Sequence, residues 1–248
     1  MNAIYVMWLR QIKRYIRNRA RIISSLGQPL LLLLALGFGL GPTFQKAGQG
    51  SYLQFLAPGV IAMTILFTAI FTGIEVIWDR QFGFLKETLV VPVSRLEIMI
   101  GKTLGGATVA TLQGILVLAI TTIAGFRPVS LTSIPLALTF MSAIATVFTA
   151  LGMVIASVLN EMHSFQLIMN FLVMPLYFLS GAIFPLTDLP SSLKIAVSFN
   201  PLSYGVDGLR GALSGIYYFN PTVDMLVLVL LAGFLFVLGS YLFSRIEA

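Results

Sequence analysis

This sequence is poor in charge. Only 10% of its 248 residues are Asp, Glu, Lys or Arg, against about 25% in a soluble globular domain. With 58% hydrophobic residues, a water-soluble fold of this length could not hide its apolar surface, and a bilayer is the solvent that fits. Cysteine is absent, which excludes disulfides, thiolate metal sites and thiol nucleophiles. His163 is the single histidine, and one imidazole cannot build a zinc site. No stretch is polar and long enough for a second, soluble domain, so the expectation is one membrane domain over residues 1–248.

A helix crosses the hydrocarbon core with about 20 apolar residues. Six windows free of Asp, Glu, Lys and Arg reach that length: Ile22–Gln45, Ala47–Ile74, Thr103–Phe126, Pro128–Asn160, Met162–Thr187 and Met225–Ser244. Trimmed of polar ends, they predict spans near 24–41, 55–77, 103–125, 135–159, 165–184 and 225–243. The expected fold is therefore an all-α membrane protein with six transmembrane helices. Two further charge-free stretches, Ile195–Val206 and Gly211–Val223, are too short to cross and read as re-entrant or interfacial pieces before the last span.

The net charge of +6 is no nucleic-acid signal, because the cations sit at membrane edges. Arg10, Lys13, Arg14, Arg17, Arg19 and Arg21 precede the first span; Arg80, Lys86, Arg95 and Lys102 fall between the second and third; Arg245 ends the chain. Those eleven outnumber Lys46, Arg127, Lys194 and Arg210 on the other side. By the positive-inside rule the richer side, with both termini, is cytoplasmic. The first span is too long, after a basic lead of about 20 residues, to be a cleaved signal peptide.

Residues 3–20 predict an amphipathic helix in the cytoplasmic interface. Ile4, Trp8, Ile12 and Tyr15 recur on one face; Arg10, Lys13, Arg14 and Arg17 recur on another. Trp8, Arg10, Arg14, Tyr15 and Arg17 are its expected anchors to membrane lipids. The loop 79–102 mixes charges with Phe82, Phe84, Leu85, Leu89 and Val90. A short helix over 80–90, stopped before Pro92, would display those residues for docking; the alternative is that they dip into the headgroups.

Catalytic patterns fail. Gly101-Lys102-Thr103 lacks the first glycine of a P-loop, since residue 96 is Leu96. Lys102 reads instead as a snorkelling anchor at the inner end of a span. Gly211-Ala212-Leu213-Ser214-Gly215 is one residue off a nucleophile elbow. Span interiors carry no charge; Glu75 and Asp224 lie near span ends. The coupling groups of an ion-driven carrier are thus missing. Gly101 and Gly105 form one G-x-x-x-G, which serves either a subunit interface or internal packing.

Motif order adds a resemblance. Glu87-Thr88-Leu89-x-x-Pro92-Val93-Ser94-Arg95, then Gly101-Lys102, resembles the cytoplasmic loop of type-2 ABC export permeases. Leu179-Ser180-Gly181-x-x-Phe184-Pro185, Leu189-Pro190, Asn200-Pro201-Leu202-Ser203-Tyr204 and Asp207-x-Leu209-Arg210 resemble that family's C-terminal signature. The likeness covers essentially the whole chain. It resembles the membrane subunits of drug exporters of the daunorubicin-resistance kind and, more distantly, polysaccharide and lipooligosaccharide permeases. The resemblance implies two permease copies and two cytoplasmic P-loop ATPase subunits. ATP and magnesium would sit on that partner, and no cofactor on this chain. It implies a coupling helix near Arg80–Val91, with Arg80, Phe82, Phe84, Leu85 and Glu87 as contacts, and re-entrant helices near 187–198 and 200–215. It places the protein in the cytoplasmic membrane of a bacterium or archaeon. Phe67, Phe71, Phe148, Tyr177 and Phe178 are scattered rather than gathered into an aromatic belt. Phe67, Phe71, Tyr177 and Phe178 are the candidate substrate path, for a hydrophobic drug, a lipid or a lipid-linked glycan. A self-sufficient channel or carrier, an intramembrane enzyme and a membrane scaffold are the alternatives.

Overall fold

The computed structural model describes residues 3–46, 51–82, 94–186 and 190–244. Among them are ten α-helices, one 3-10 turn and no strand. In chain order the helices are α1 (Ala3–Arg17), α2 (Arg19–Lys46), α3 (Tyr52–Phe71), α4 (Ile74–Gln81), α5 (Arg95–Ile123), α6 (Ile134–Val158), α7 (Met162–Phe178), α8 (Ser191–Phe199), α9 (Pro201–Ser214) and α10 (Pro221–Ser244). The chain is an all-α membrane protein.

Its exterior is apolar where a soluble fold's is polar, and several charges lie inside an apolar core. Phe38 is 79% exposed and Phe171 89%. Glu75, Asp79, Lys102, Asp207, Arg210 and Asp224 are buried. Apolar exteriors of this kind are solvated by lipid, whereas buried charge must find partners inside the protein.

Five helical stretches are long and apolar enough to cross a membrane: Ile22–Lys46, Tyr52–Gln81, Leu96–Ile123, Leu131–Val158 and Pro221–Phe243. The stretch predicted as a span over 165–184 differs. Here α7 has 17 residues and stops at Phe178. Ser180 donates from Oγ to the Tyr177 carbonyl, and Gly181 takes φ +73, a left-handed conformation open to glycine and closed to the helix. An apolar run alone could not reveal that stop.

At the centre, α3 packs between α5 and α6. The three meet closely because side chains are missing where they touch. A Cβ on Gly73, between α3 and α4, would stand 2.4 Å from the Gly152 carbonyl oxygen of α6. One on Gly152 would stand 2.5 Å from the Ile70 carbonyl oxygen. Small residues are what allow such approach between helices in lipid. By contrast α2 and α10 turn most of their surface outward, with 11% and 22% of their apolar windows buried.

Local chemistry sets the helix ends. Ser94 and Glu97 form a capping box that opens α5. Asn200 caps α9 by accepting from the Leu202 amide, and Pro201 supplies the preset first position. Gly215, at φ +74, ends α9.

Candidate functional site

One end of the bundle is a paired cluster of charges. α1 lies along α5. Gly101 and Gly105 are its seat, since a Cβ there would stand 2.8 Å from the Ile4 carbonyl oxygen and 2.7 Å from the Gln11 side chain. The G-x-x-x-G is therefore filled from within the chain. Trp8 donates from Nε1 to Thr108 Oγ1 at 3.0 Å. Tyr15 donates its hydroxyl to Gln113, and Gln113 donates onward to Ser25 at 2.7 Å. The face of α1 expected to hold headgroups thus places Trp8 and Tyr15 against protein.

The opposing face of α1 reaches α4. Arg10 stands 3.7 Å from Asp79 and Arg14 stands 3.5 Å from Glu75. Lys102 of α5 donates to the other Asp79 oxygen at 2.6 Å. At 2% exposure Lys102 does not snorkel; a carboxylate inside the protein holds it, so the sequence reading of that residue is corrected. Arg17 is exposed in the last turn of α1.

The end of α4 is fastened on its far side as well. Arg80 donates to Asn160 and to the Leu159 carbonyl at 3.4 Å. Gln81 donates to the Asn160 carbonyl at 3.2 Å, and the Trp78 indole N–H reaches the Met162 sulfur. Phe82 follows, 69% exposed. Phe84, Leu85 and Glu87 lie outside the described residues.

Between α2 and α3 sits a cavity of about 230 Å³, lined by Tyr15, Ser25, Gln28, Met63, Phe67 and Phe71 among others, none of them charged. Phe67 and Phe71 stack with centroids 6.3 Å apart. Pro29 lines it too and, lacking an N–H, removes the helical donor to the Ser25 carbonyl. Tyr177 and Phe178 are elsewhere. They touch each other at 5.9 Å, one buried and the other half-exposed, and Tyr177 lies toward Tyr52 and Arg210. The structure joins two of the four candidate path residues and separates the other two.

The other end of the bundle carries a second charged cluster, around α9. Asn200 donates to the Leu176 carbonyl at 2.6 Å, tying α9 to α7. Asp207 accepts from the Tyr218 amide at 2.8 Å and the Phe219 amide at 2.7 Å. Arg210 donates from Nη2 to the Gly181 carbonyl at 2.8 Å and lies over the Phe55 ring at 4.1 Å. Asp224 is fully buried and lies against Asp207, the two carboxyls sharing a side-chain hydrogen bond; among the described residues no other donor reaches its oxygens. Burial pushes the Asp207 carboxyl above its usual range, while the Phe219 and Tyr218 amides and Arg210 draw it back. Sequence reasoning found Asp207 and Arg210 as a motif but gave them no role; their partners lie on other elements. Among the described residues, no group of three or more His, Asp or Glu side chains is placed to hold a metal ion.

Comparison with known proteins agrees with this architecture. The model of the ABC-2 type transporter family matches residues 2–214. Nodulation protein J of Rhizobium leguminosarum bv. trifolii is 31% identical over 208 residues, covering 83% of this chain and 77% of that protein. Nodulation protein J of Rhizobium leguminosarum bv. viciae is 27% identical over 228 residues, covering 91% and 87%. The transport permease ycf38 of Porphyra purpurea is 28% identical over 247 residues, covering 93% and 83%. A helical bundle with an apolar exterior that matches this family model over most of its length is a transport permease, and the chain belongs to the ABC-2 type transporter family.

Proposed function

We propose that this chain is the membrane half of an ATP-driven exporter, paired with a second copy of itself and with two cytoplasmic P-loop ATPase subunits. Its residues 1–248 act as one domain. In this reading α2, α3 with α4, α5, α6, the short α7 and α10 are the six spans, and both termini are cytoplasmic. α8 and α9 are the re-entrant pieces on the outer face. The stretch after α4 couples to the ATPase through Arg80, Phe82, Phe84, Leu85 and Glu87. The cargo is a hydrophobic drug, a lipid or a lipid-linked glycan, and the cavity at Phe67 and Phe71 lies on its path.

One observation carries this reading. α4, which feeds residues 83–93, is joined along its length by ion pairs to α1 and α5, and at its end by hydrogen bonds to the α6–α7 turn. A push delivered there reaches three elements at once. Such an element can bias a permease between two packings when ATP closes the partner dimer.

The test is a tagged pull-down from gently solubilised native membranes. A stoichiometric P-loop ATPase is the expected companion, lost on changing Phe84→Asp or Leu85→Asp while the permease stays in the membrane. Retained ATPase in those variants removes the docking role of the loop. A second reading, an ion-driven carrier, draws support from the buried Asp224 carboxylate. It predicts transport by the chain alone in vesicles without ATP, and that result would replace the exporter reading.

A further inference from the structure

Two cavities adjoin at Phe44, at the end of the molecule opposite the α1 cluster. One, of about 330 Å³, is lined by Phe44, Gln54, Phe55, Val129, Arg210 and Ser214 among others. The other, of about 390 Å³, is lined by Leu40, Phe44, Tyr52, Ile183, Phe184 and Pro185 among others, with no charged side chain. A cationic chamber therefore opens beside an apolar one.

Arg210 is only 6% exposed. Its guanidinium has one carbonyl, that of Gly181, and one aromatic face, that of Phe55. Its Nε has no partner. Among the described residues no carboxylate forms an ion pair with it. Asp207, less than one turn away, acts on Arg210 through space, but its oxygens bond the Tyr218 and Phe219 amides and make no direct contact with the guanidinium. One carbonyl, one ring and a carboxylate that does not touch it leave a buried guanidinium with donors to spare. A planar fork of donors in that position is matched by a phosphate or a carboxylate.

We propose that the Arg210 cavity takes the anionic head group, phosphate or carboxylate, of an amphiphile whose apolar part lies in the adjoining cavity along the end of α2. The chemistry follows from the side chains; only its location on the outer face rests on the orientation proposed above. The neutral cavity at Phe67 and Phe71 does not compete for such a group, because nothing charged lines it. Two sources share this chemistry: a phospholipid of the membrane, and the cargo itself.

The experiment is native mass spectrometry on the full chain, alone and with any co-purifying ATPase. Phosphatidylglycerol is the probe and diacylglycerol of the same chain length is the phosphate-free control. The chain is expected to retain phosphatidylglycerol in preference to the control. Losing a charge-assisted contact should lower that retention about tenfold or more. Two variants test it. Arg210→Met removes the cation. Ser214→Asp leaves Arg210 in place and offers it a carboxylate from within the cavity, so a folding failure of the first cannot mask the result. Both should lose phosphatidylglycerol selectively and hold diacylglycerol as before. A Ser214→Asp chain that melts like the parent and binds phosphatidylglycerol equally well would overturn the proposal, as would equal retention of both probes by the parent. Retention through ATP turnover assigns the site to a resident phospholipid, and release during turnover assigns it to cargo. If no ATPase co-purifies, the exporter reading falls while the binding comparison on the chain alone still stands.

Discussion

The two charged clusters use the same ingredients and complete them differently. At the α1 end, Asp79 meets Lys102 at 2.6 Å and Arg10 at 3.7 Å, and Glu75 meets Arg14 at 3.5 Å. At the α9 end, Arg210 rests on a carbonyl and a ring, Asp207 on backbone amides, and Asp224 on the Asp207 carboxyl alone. The first arrangement is closed, every carboxylate being answered by a cation on another helix. The second is open, with cation and anions turned toward different neighbours. A closed cluster fixes helices to one another. An open one leaves field that a ligand, a proton or a moving element can use.

Breaking the closed cluster should cost most. Lys102→Met leaves Asp79 buried with only the longer contact to Arg10, a loss of about 3–5 kcal/mol. A thermal melt of the detergent-purified chain should fall sharply, and Lys102→Met with Asp79→Leu should recover much of it. If the double variant melts as low as the single, the pair is not the unit that matters. Asp224→Asn in the open cluster should act in the opposite sense. It removes a carboxylate lying against Asp207 and supplies an amide that can donate to it. We expect a gain of about 1 kcal/mol, or about 2–4 °C in melting temperature; a marked loss would show that Asp224 has a partner the comparison lacks. Arg14→Gln should be the mildest. Its side chain is 38% exposed, and an ion pair so placed contributes about 0–1 kcal/mol. A change in melting temperature as large as that of Lys102→Met would erase the distinction between the rim of the cluster and its centre.

Much of this architecture could be read from residue order. Low charge and long apolar windows gave the membrane class, and the alternating faces of α1 gave its helix. Asn200-Pro201 marked the start of α9 by the chemistry of caps. What stayed hidden was orientation. In lipid, a face that packs on protein and a face that meets acyl chains are both apolar, so Trp8 and Tyr15 could be read toward headgroups although they bond to Thr108 and Gln113 on α5. The Lys102–Asp79 pair was hidden for a related reason. The two residues are 23 apart, and each alone reads as an edge charge. Asp207 and Arg210 sit three residues apart on one helix and look like a helical ion pair, until folding turns one to the amides before α10 and the other to Gly181 beyond α7 and Phe55 of α3.

One contact has a mechanical consequence. At Gly73 and Gly152 two backbones meet with no side chain of their own between them, and only the Phe165 ring packs beside the contact. Interlocked side chains resist rotation as firmly as sliding; bare backbone resists rotation far less. The crossing is thus shaped as a fulcrum. Beyond it the eight residues of α4 form a lever about 12 Å long at 1.5 Å per residue. A turn of about 10° at the fulcrum would sweep the tip, where Arg80 grips the α6–α7 turn, through about 2 Å. That is the scale on which the Arg10–Asp79 contact beside that tip, 3.7 Å long, is made or lost.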